Sequence, residues 1–273
     1  MFGIRHAFHA DLVEALHAAA EPAGYDLALS PVAPSRDERR AVRSLLDQDC
    51  EALILLGPDQ RAKALAELAA TTPVVVVGRK VQAEGVDVIR GDDTDGMRKA
   101  VQYLVSLGHR RIVHVDGGRA PGAAERRVGY KNAMRRAGLG EQIWVVAGGV
   151  TEEAGAAAAK RILREAPKTT AVAVFNDRSA VGLLDAVRRS GRAVPEQLSV
   201  VGYGDSSLAR LPHIDLTTVG HDAREVAELA FKRAVARLGD EAGGEAGKPR
   251  EADELVLPPS LVARGSTAKP PAG

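Results

Sequence analysis

The tightest constraint on the fold is an alternation of two kinds of segment. Short aliphatic runs recur at 27–29, 52–56, Val74–Val77, 86–89, 112–115, 143–146, 171–175, 198–201 and 216–219. Most are continuously apolar, which is how strands read when both faces of a sheet are covered. Between them lie amphipathic stretches of helical length, at 11–23, 36–48, 60–70, 94–107, 123–137, 151–166, 179–190 and 222–238. Gly24, Gly108, Gly138 and Gly191 follow four of these as stop signals. Thr151 with Glu152 and Glu153 puts a cap and acidic residues at another helix start. Strands alternating with helices predict parallel sheets covered by helices on both faces. So many strands in 273 residues predict two α/β lobes.

Composition removes several classes of function. Aromatic residues are only 3%, so the core must be built from Val, Leu, Ile and Ala. Lys and Arg number 37 against 36 Asp and Glu, a net charge of +1, which argues against a basic nucleic-acid-binding surface over the whole chain. One cysteine, Cys50, allows neither an internal disulfide nor a Cys-cluster metal site. No apolar run approaches the roughly 18 residues of a membrane span, and residues 1–6 lack the pattern of a secretory signal. The expected compartment is the cytoplasm. The Gly- and charge-rich run 240–253 predicts a mobile connection, and 268–273 a flexible tail.

Catalytic motifs are missing. There is no phosphate loop, no Gly-x-Ser-x-Gly elbow and no His-Glu-x-x-His. Gly202-Tyr203-Gly204 fails as a dinucleotide fingerprint because Ser207 stands where the third glycine belongs. His6 and His9 are three apart but lack a third ligand, and read as solvated or cleft-lining imidazoles. Asp92, Asp93 and Asp95 precede a helix and read as its caps. His221, Asp222 and Ser206 or Ser207 have the residue types of a triad, but nothing brings them together. The chain is expected to be no enzyme and to hold no metal or cofactor.

One ordered set of phrases is more specific. Leu107-Gly108-His109-Arg110-Arg111-Ile112 joins a helix to a strand, and Arg126-Arg127-Val128-Gly129-Tyr130 starts a helix. Phe175-Asn176-Asp177-Arg178-Ser179-Ala180-Val181-Gly182 joins a strand to a helix, and Val194-Pro195-Glu196-Gln197-Leu198-Ser199-Val200-Val201-Gly202-Tyr203 leads into another strand. Leu216-Thr217-Thr218-Val219 follows, and Leu257-Pro258-Pro259-Ser260-Leu261-Val262-Ala263-Arg264-Gly265-Ser266-Thr267 closes the set. In this order they resemble the effector-binding domain of the LacI/GalR family of bacterial transcription regulators, over nearly the whole chain.

The resemblance implies a periplasmic-binding-protein type I fold: two similar, doubly wound parallel-sheet lobes joined by three crossover segments. The first lobe is expected at 1–110 plus 220–245, the second at 111–219 plus 246–267. A small effector, sugar-like or small and anionic, would bind in the cleft between them, at the carboxyl ends of the strands. Ligand binding would then modulate DNA binding. Homodimers are implied, as is contact with operator DNA only through an N-terminal helix-turn-helix that this chain lacks. A core strand should precede the segment from Arg5 to Leu12. Only residues 1–4 are present to supply it, which predicts a stub strand at most and a gap in the first sheet flanked by unpaired backbone groups.

The resemblance also picks out effector-binding positions. Phe8 and, beside it, His9 fall on the first lobe, as does Arg79 just past the Val74–Val77 run; a packed core Phe and a surface Arg are the plainer readings. Arg126 matches a direct ligand hydrogen-bonder, a role suited to a planar group with five donors. Asn176 and Asp177 divide between ligand and helix cap, with Asn176 assigned to ligand and Asp177 left between the two. Asp205 lies on the corresponding loop. Two positions depart from the pattern: Gly204 replaces an Asp, and Val150 replaces an aromatic, so an acceptor and a stacking platform are both lost. Each is worth about 1–3 kcal/mol in a desolvated site. Alternatives are a solute-binding protein of a sugar transport system, a divergent regulator with a changed or lost ligand, and an α/β enzyme.

Overall fold

The computed structural model describes residues 2–3, 7–243 and 252–271. In chain order the elements are β1 (Phe2–Gly3), α1 (Ala7–Ala20), β2 (Pro31–Val32), α2 (Glu38–Leu46), β3 (Leu53–Leu56), α3 (Ala62–Ala69), β4 (Val74–Val77) and β5 (Val86–Gly91). There follow α4 (Asp93–Ser106), β6 (Ile112–Asp116), α5 (Ala123–Arg136), β7 (Trp144–Ala147), α6 (Glu152–Glu165), β8 (Ala171–Val174) and α7 (Asp177–Arg189). The chain closes with β9 (Ser199–Tyr203), β10 (Thr217–Gly220), α8 (Ala223–Gly243), β11 (Glu254–Leu257) and β12 (Ser260–Val262). Two compact units result, Met1–Arg90 with Asp222–Leu257, and Gly91–His221 with Pro258–Gly273, so the chain passes between them three times.

In the first unit, β3, β4 and β5 run parallel, β11 lies beside β5, and β1 pairs separately with β2. One face of the sheet packs on Val42 and Leu45 of α2 and Leu65 of α3. The other packs on Leu12 and Leu16 of α1 and Val226 and Ala230 of α8. Covering both faces is why Val74–Val77 is apolar at every position and buried throughout. The second unit has the strand order β12-β10-β9-β8-β6-β7, parallel except for β12, which runs antiparallel to β10. Its faces are covered by α4 and α5, through Met97, Leu104, Tyr130 and Met134, and by α6 and α7, through Ile162, Leu183 and Val187. The doubly wound α/β arrangement read from the alternation is therefore present in both units.

Several boundaries differ from the sequence reading. The first unit ends at Arg90, not at 110, because the apolar side of α4 (Met97, Ala100, Val101, Leu104) is buried with Tyr130 and Met134 of α5. The stretch expected in the second lobe from 246 is divided. β11 lies beside β5, with the Val88 N–H donating to the Asp253 carbonyl at 2.9 Å and Arg90 paired to Glu254, while the second unit begins at Pro258. The run 27–29 is not a strand; among the described residues the pairing falls on Pro31–Val32, opposite Phe2 and Gly3. Of the expected connection 240–253, residues 244–251 lie outside the described residues; helix α8 continues through Gly243, and Asp253 is held by Arg233 at 2.6 Å. The expected tail is docked as far as it is described: the Ala268 carbonyl accepts from His109 Nε2 at 2.9 Å, and the Ala268 N–H donates to Ser199 Oγ at 3.0 Å. Arg5 and His6 lie outside the described residues.

Candidate functional site

In the second unit the parallel strands β6 to β10 end along one edge, where open α/β sheets place their ligand-binding residues. The side chains there are delivered by the turn after each strand. Asp116 ends β6, Val150 follows β7, Phe175, Asn176 and Asp177 follow β8, Tyr203 and Asp205 end or follow β9, and His221 follows β10. The start of α5 adds Arg126, and the start of α4 adds Asp93.

Arg126 is the centre of this edge. Its Nε donates to Asp93 Oδ1 at 2.9 Å, and Nη1 donates to the Phe175 carbonyl at 2.6 Å. The guanidinium lies 3.7 Å from the centre of the Tyr203 ring and 4.6 Å from that of Phe175. Both side chains of the Arg126–Asp93 pair are 15% exposed. The arginine is thus charge-matched and held between two aromatic faces, an arrangement that a planar cation favours and a lysine could not reproduce. Gly117 makes it possible: a Cβ at that position would overlap the Phe175 ring.

Around this pair sit two more buried polar side chains, the Tyr203 hydroxyl, which faces Asp93, and the His221 imidazole, which faces the Pro258 backbone. Burial pushes the Tyr203 hydroxyl well above its ordinary pKa, with the Asp93 carboxylate acting in the same direction. Burial lowers His221 as well, Asp93 opposing and Arg126 assisting, so the imidazole is neutral at pH 7. Asp116 pairs with Arg127 at 2.5 Å, and its free Oδ1 lies 4.0 Å from Nε2 of buried His114.

The predicted residues divide sharply. Asn176 is the N-cap of α7: its Oδ1 accepts from the Ser179 N–H at 2.8 Å, and its Nδ2 donates to the Val150 carbonyl at 3.2 Å. The amide assigned to ligand therefore does the capping. Asp177 is buried and accepts from the Ser206 N–H at 2.8 Å, Ser206 Oγ at 2.9 Å and Thr218 Oγ1 at 2.6 Å, tying β8 to the turns after β9 and β10. Burial raises its carboxyl pKa even so. Asp205 has a left-handed φ of 44° and pairs with Arg264 at 2.6 Å. Gly204 beside it has φ 128°, a conformation that a side chain resists, which accounts for glycine where the related pattern has Asp.

In the first unit, Phe8 and His9 are half-buried on α1, Phe8 packing on the core that holds Leu12 and Leu16. Arg79, two residues past β4, donates to the Pro58 carbonyl and to the Gln60 carbonyl at 2.7 Å, so it fastens the turn after β3. Asp92 is the N-cap of α4, as read from the sequence, but Asp93 leaves the cap and pairs with Arg126. Sequence reasoning missed Asp93, Phe175, Tyr203 and His221 as site residues. The last two were visible as the ends of apolar runs, but nothing in the spacing set them against Arg126.

Residues 101–267 match the family described as a periplasmic binding protein-like domain. A LacI transcriptional regulator from a Rhodococcus species is 47% identical, with a TM-score of 0.92 over 98% of this chain and 97% of that one. A complex of the transcriptional regulator CelR with cellobiose is 28% identical, with a TM-score of 0.80 over 96% of this chain and 79% of that one. The ribose operon repressor of Haemophilus influenzae is 30% identical over 82% of this chain, a match that spans 66% of the repressor's length.

Proposed function

Because this chain belongs to the LacI/GalR family, whose ligand-binding part is a periplasmic-binding-protein-like domain, we propose that it senses a neutral, polyhydroxylated small molecule and thereby controls transcription. The observation that carries the ligand class is the state of Arg126. Its charge is matched by Asp93, its faces are covered by Tyr203 and Phe175, and Asp116 and Asp205 nearby are each already paired with an arginine. An anionic effector would have to displace Asp93; a neutral polyol needs only hydrogen-bond partners. The Tyr203 hydroxyl beside Asp93 and the His221 imidazole are uncharged polar groups of that kind. The relative in complex with cellobiose agrees with such a ligand. DNA contact through a helix-turn-helix segment and a homodimer complete the proposal. Its role is that of a regulator, without turnover of the ligand.

A thermal-shift series over neutral mono- and disaccharides, their phosphates and small carboxylates tests the ligand class. At about 100 times the dissociation constant, a ligand adds roughly 2.7 kcal/mol. A neutral sugar should raise the melting temperature, and Arg126→Ala should abolish the rise. A response confined to sugar phosphates or carboxylates would overturn the proposal.

A further inference from the structure

Helix α2 of the first unit carries a second concentration of guanidinium groups, which the effector reading does not use. Arg36, Arg39, Arg40 and Arg43 follow closely in a chain whose charges otherwise nearly cancel. The spacing 36, 40, 43 places three of them along one side of the helix. Val42 and Leu45, on the other side, pack on the sheet. The three arginines line an open cavity of about 520 Å³ together with Ser44, Asp47 and Gln48, so every lining side chain is polar.

The carboxylates at the start of the helix do not neutralise this stripe. Asp37 is the N-cap, its Oδ1 accepting from the Arg40 N–H at 2.9 Å. Glu38 turns to the loop after β3 and accepts from the Asp59 and Gln60 N–H groups at 2.6 and 3.0 Å. Arg36 Nη2 donates to a neutral partner, Ser30 Oγ, at 2.9 Å. Arg40 and Arg43 are exposed and form no ion pair among the described residues. Asp47, the acid in the lining, stands at the C-terminal end of the helix. Three guanidinium groups against one carboxylate leave the cavity cationic. Arg126, whose charge is matched by Asp93, is in the opposite state.

We propose that this stripe binds a compact anion of two or three linked phosphate groups. A guanidinium presents a planar fork that matches a phosphate bidentately. Neighbours on one side of a helix stand about 5–6 Å apart at their Cβ atoms. A single phosphate or carboxylate therefore occupies one fork, whereas linked phosphates engage all three. Ser44 and Gln48 offer neutral donors to the remaining oxygens. Arginines gathered around one cavity, rather than spread over a flat face, favour a compact anion over an extended strand of nucleic acid.

The probe is inorganic triphosphate, titrated calorimetrically into the full chain at low salt. Saturable binding at one site per chain is expected, and added salt should weaken it because the charges are exposed. Arg40→Gln combined with Arg43→Gln should weaken binding by about tenfold or more. Both positions are exposed, so the melting temperature of the free protein should stay in place. Arg189→Gln, exposed in the second unit, should change nothing. Orthophosphate should bind more weakly than triphosphate. Absence of saturable binding overturns the proposal, as does full affinity in the double variant. Equal affinity for orthophosphate or for an oligoglutamate peptide also overturns it, making the stripe a general anionic contact. A DNA duplex bound through Arg40 and Arg43 where triphosphate is not would assign the stripe to nucleic acid instead.

Discussion

Replacing Asp177 with Ala separates two roles that the sequence left open for it. The carboxylate is 2% exposed and accepts three hydrogen bonds, from the Ser206 N–H and from the hydroxyls of Ser206 and Thr218. Bonds to a charged group are worth about 1.5–3 kcal/mol each. Against them stands the burial of the charge, which is large enough to raise the carboxyl pKa above 3.8 despite all three donors. The hydroxyls can re-aim in the variant, but the Ser206 N–H cannot. The net expectation is a loss of about 2–4 kcal/mol from a fold whose total stability is of order 5–15 kcal/mol. Asp177→Asn keeps one acceptor oxygen and should lose about half as much. Trp144, the only tryptophan, lies in the same unit and reports urea unfolding by its fluorescence. The pH dependence follows from the raised pKa. The folded state holds this proton more tightly than the unfolded chain, so its contribution favours folding at low pH and is lost as pH rises from 3.8 through the folded value. Asp177→Asn should remove that segment of the curve. A cost below about 1 kcal/mol for Asp177→Ala, together with lost ligand binding, would refute the structural role and make Asp177 a ligand contact.

Other expectations follow from the same geometry. Asp87, 1% exposed, is bound bidentately by Arg237 at 2.7 and 2.8 Å; burial raises its pKa, but Arg237 and the Asp253 N–H bring it below 3.8. Arg237→Ala should cost about 3–5 kcal/mol in urea unfolding, and the stability contributed by the pair should be lost as pH falls below 3.8 through the folded value. His114, buried and lowered to about 4, should make stability fall as pH drops from 6.5 towards 4, by about 3 kcal/mol at most, and His114→Phe should flatten that part of the profile. Leu183→Ala, inside the core of the second unit, should cost about 2–5 kcal/mol by calorimetry. Asp93→Asn should leave Arg126 with an unmatched charge and shift ligand preference towards anions, readable in the thermal-shift series; an unchanged preference would show that the Arg126–Asp93 pair does not set the ligand class.

What the sequence determined by itself was whatever repeats locally. Continuous apolar runs such as Val74–Val77 and Ala171–Val174 could only be strands covered on both faces, and the amphipathic stretches between them had to cover them. Ordered phrases such as Arg126 to Tyr130 carried the family, and Arg126 with it, because they are short and contiguous. Tertiary structure decided what depends on distant partners. Helix α4 has an apolar side that would suit either unit; Tyr130 and Met134 claim it for the second. A strand reading of 27–29 failed because a strand exists only with a neighbour, and the described pairing partner of this segment lies opposite Pro31 and Val32 instead. Asn176 and Asp177 look alike in sequence, and the chain's turn at the end of β8 makes one a cap and the other a tie between turns. Above all, the charge of Arg126 is legible in the sequence but its neutralisation is not. Asp93 is 33 residues away, and only the packing of α4 against α5 brings the carboxylate to the guanidinium and so turns a seeming anion receptor into a neutral polar face.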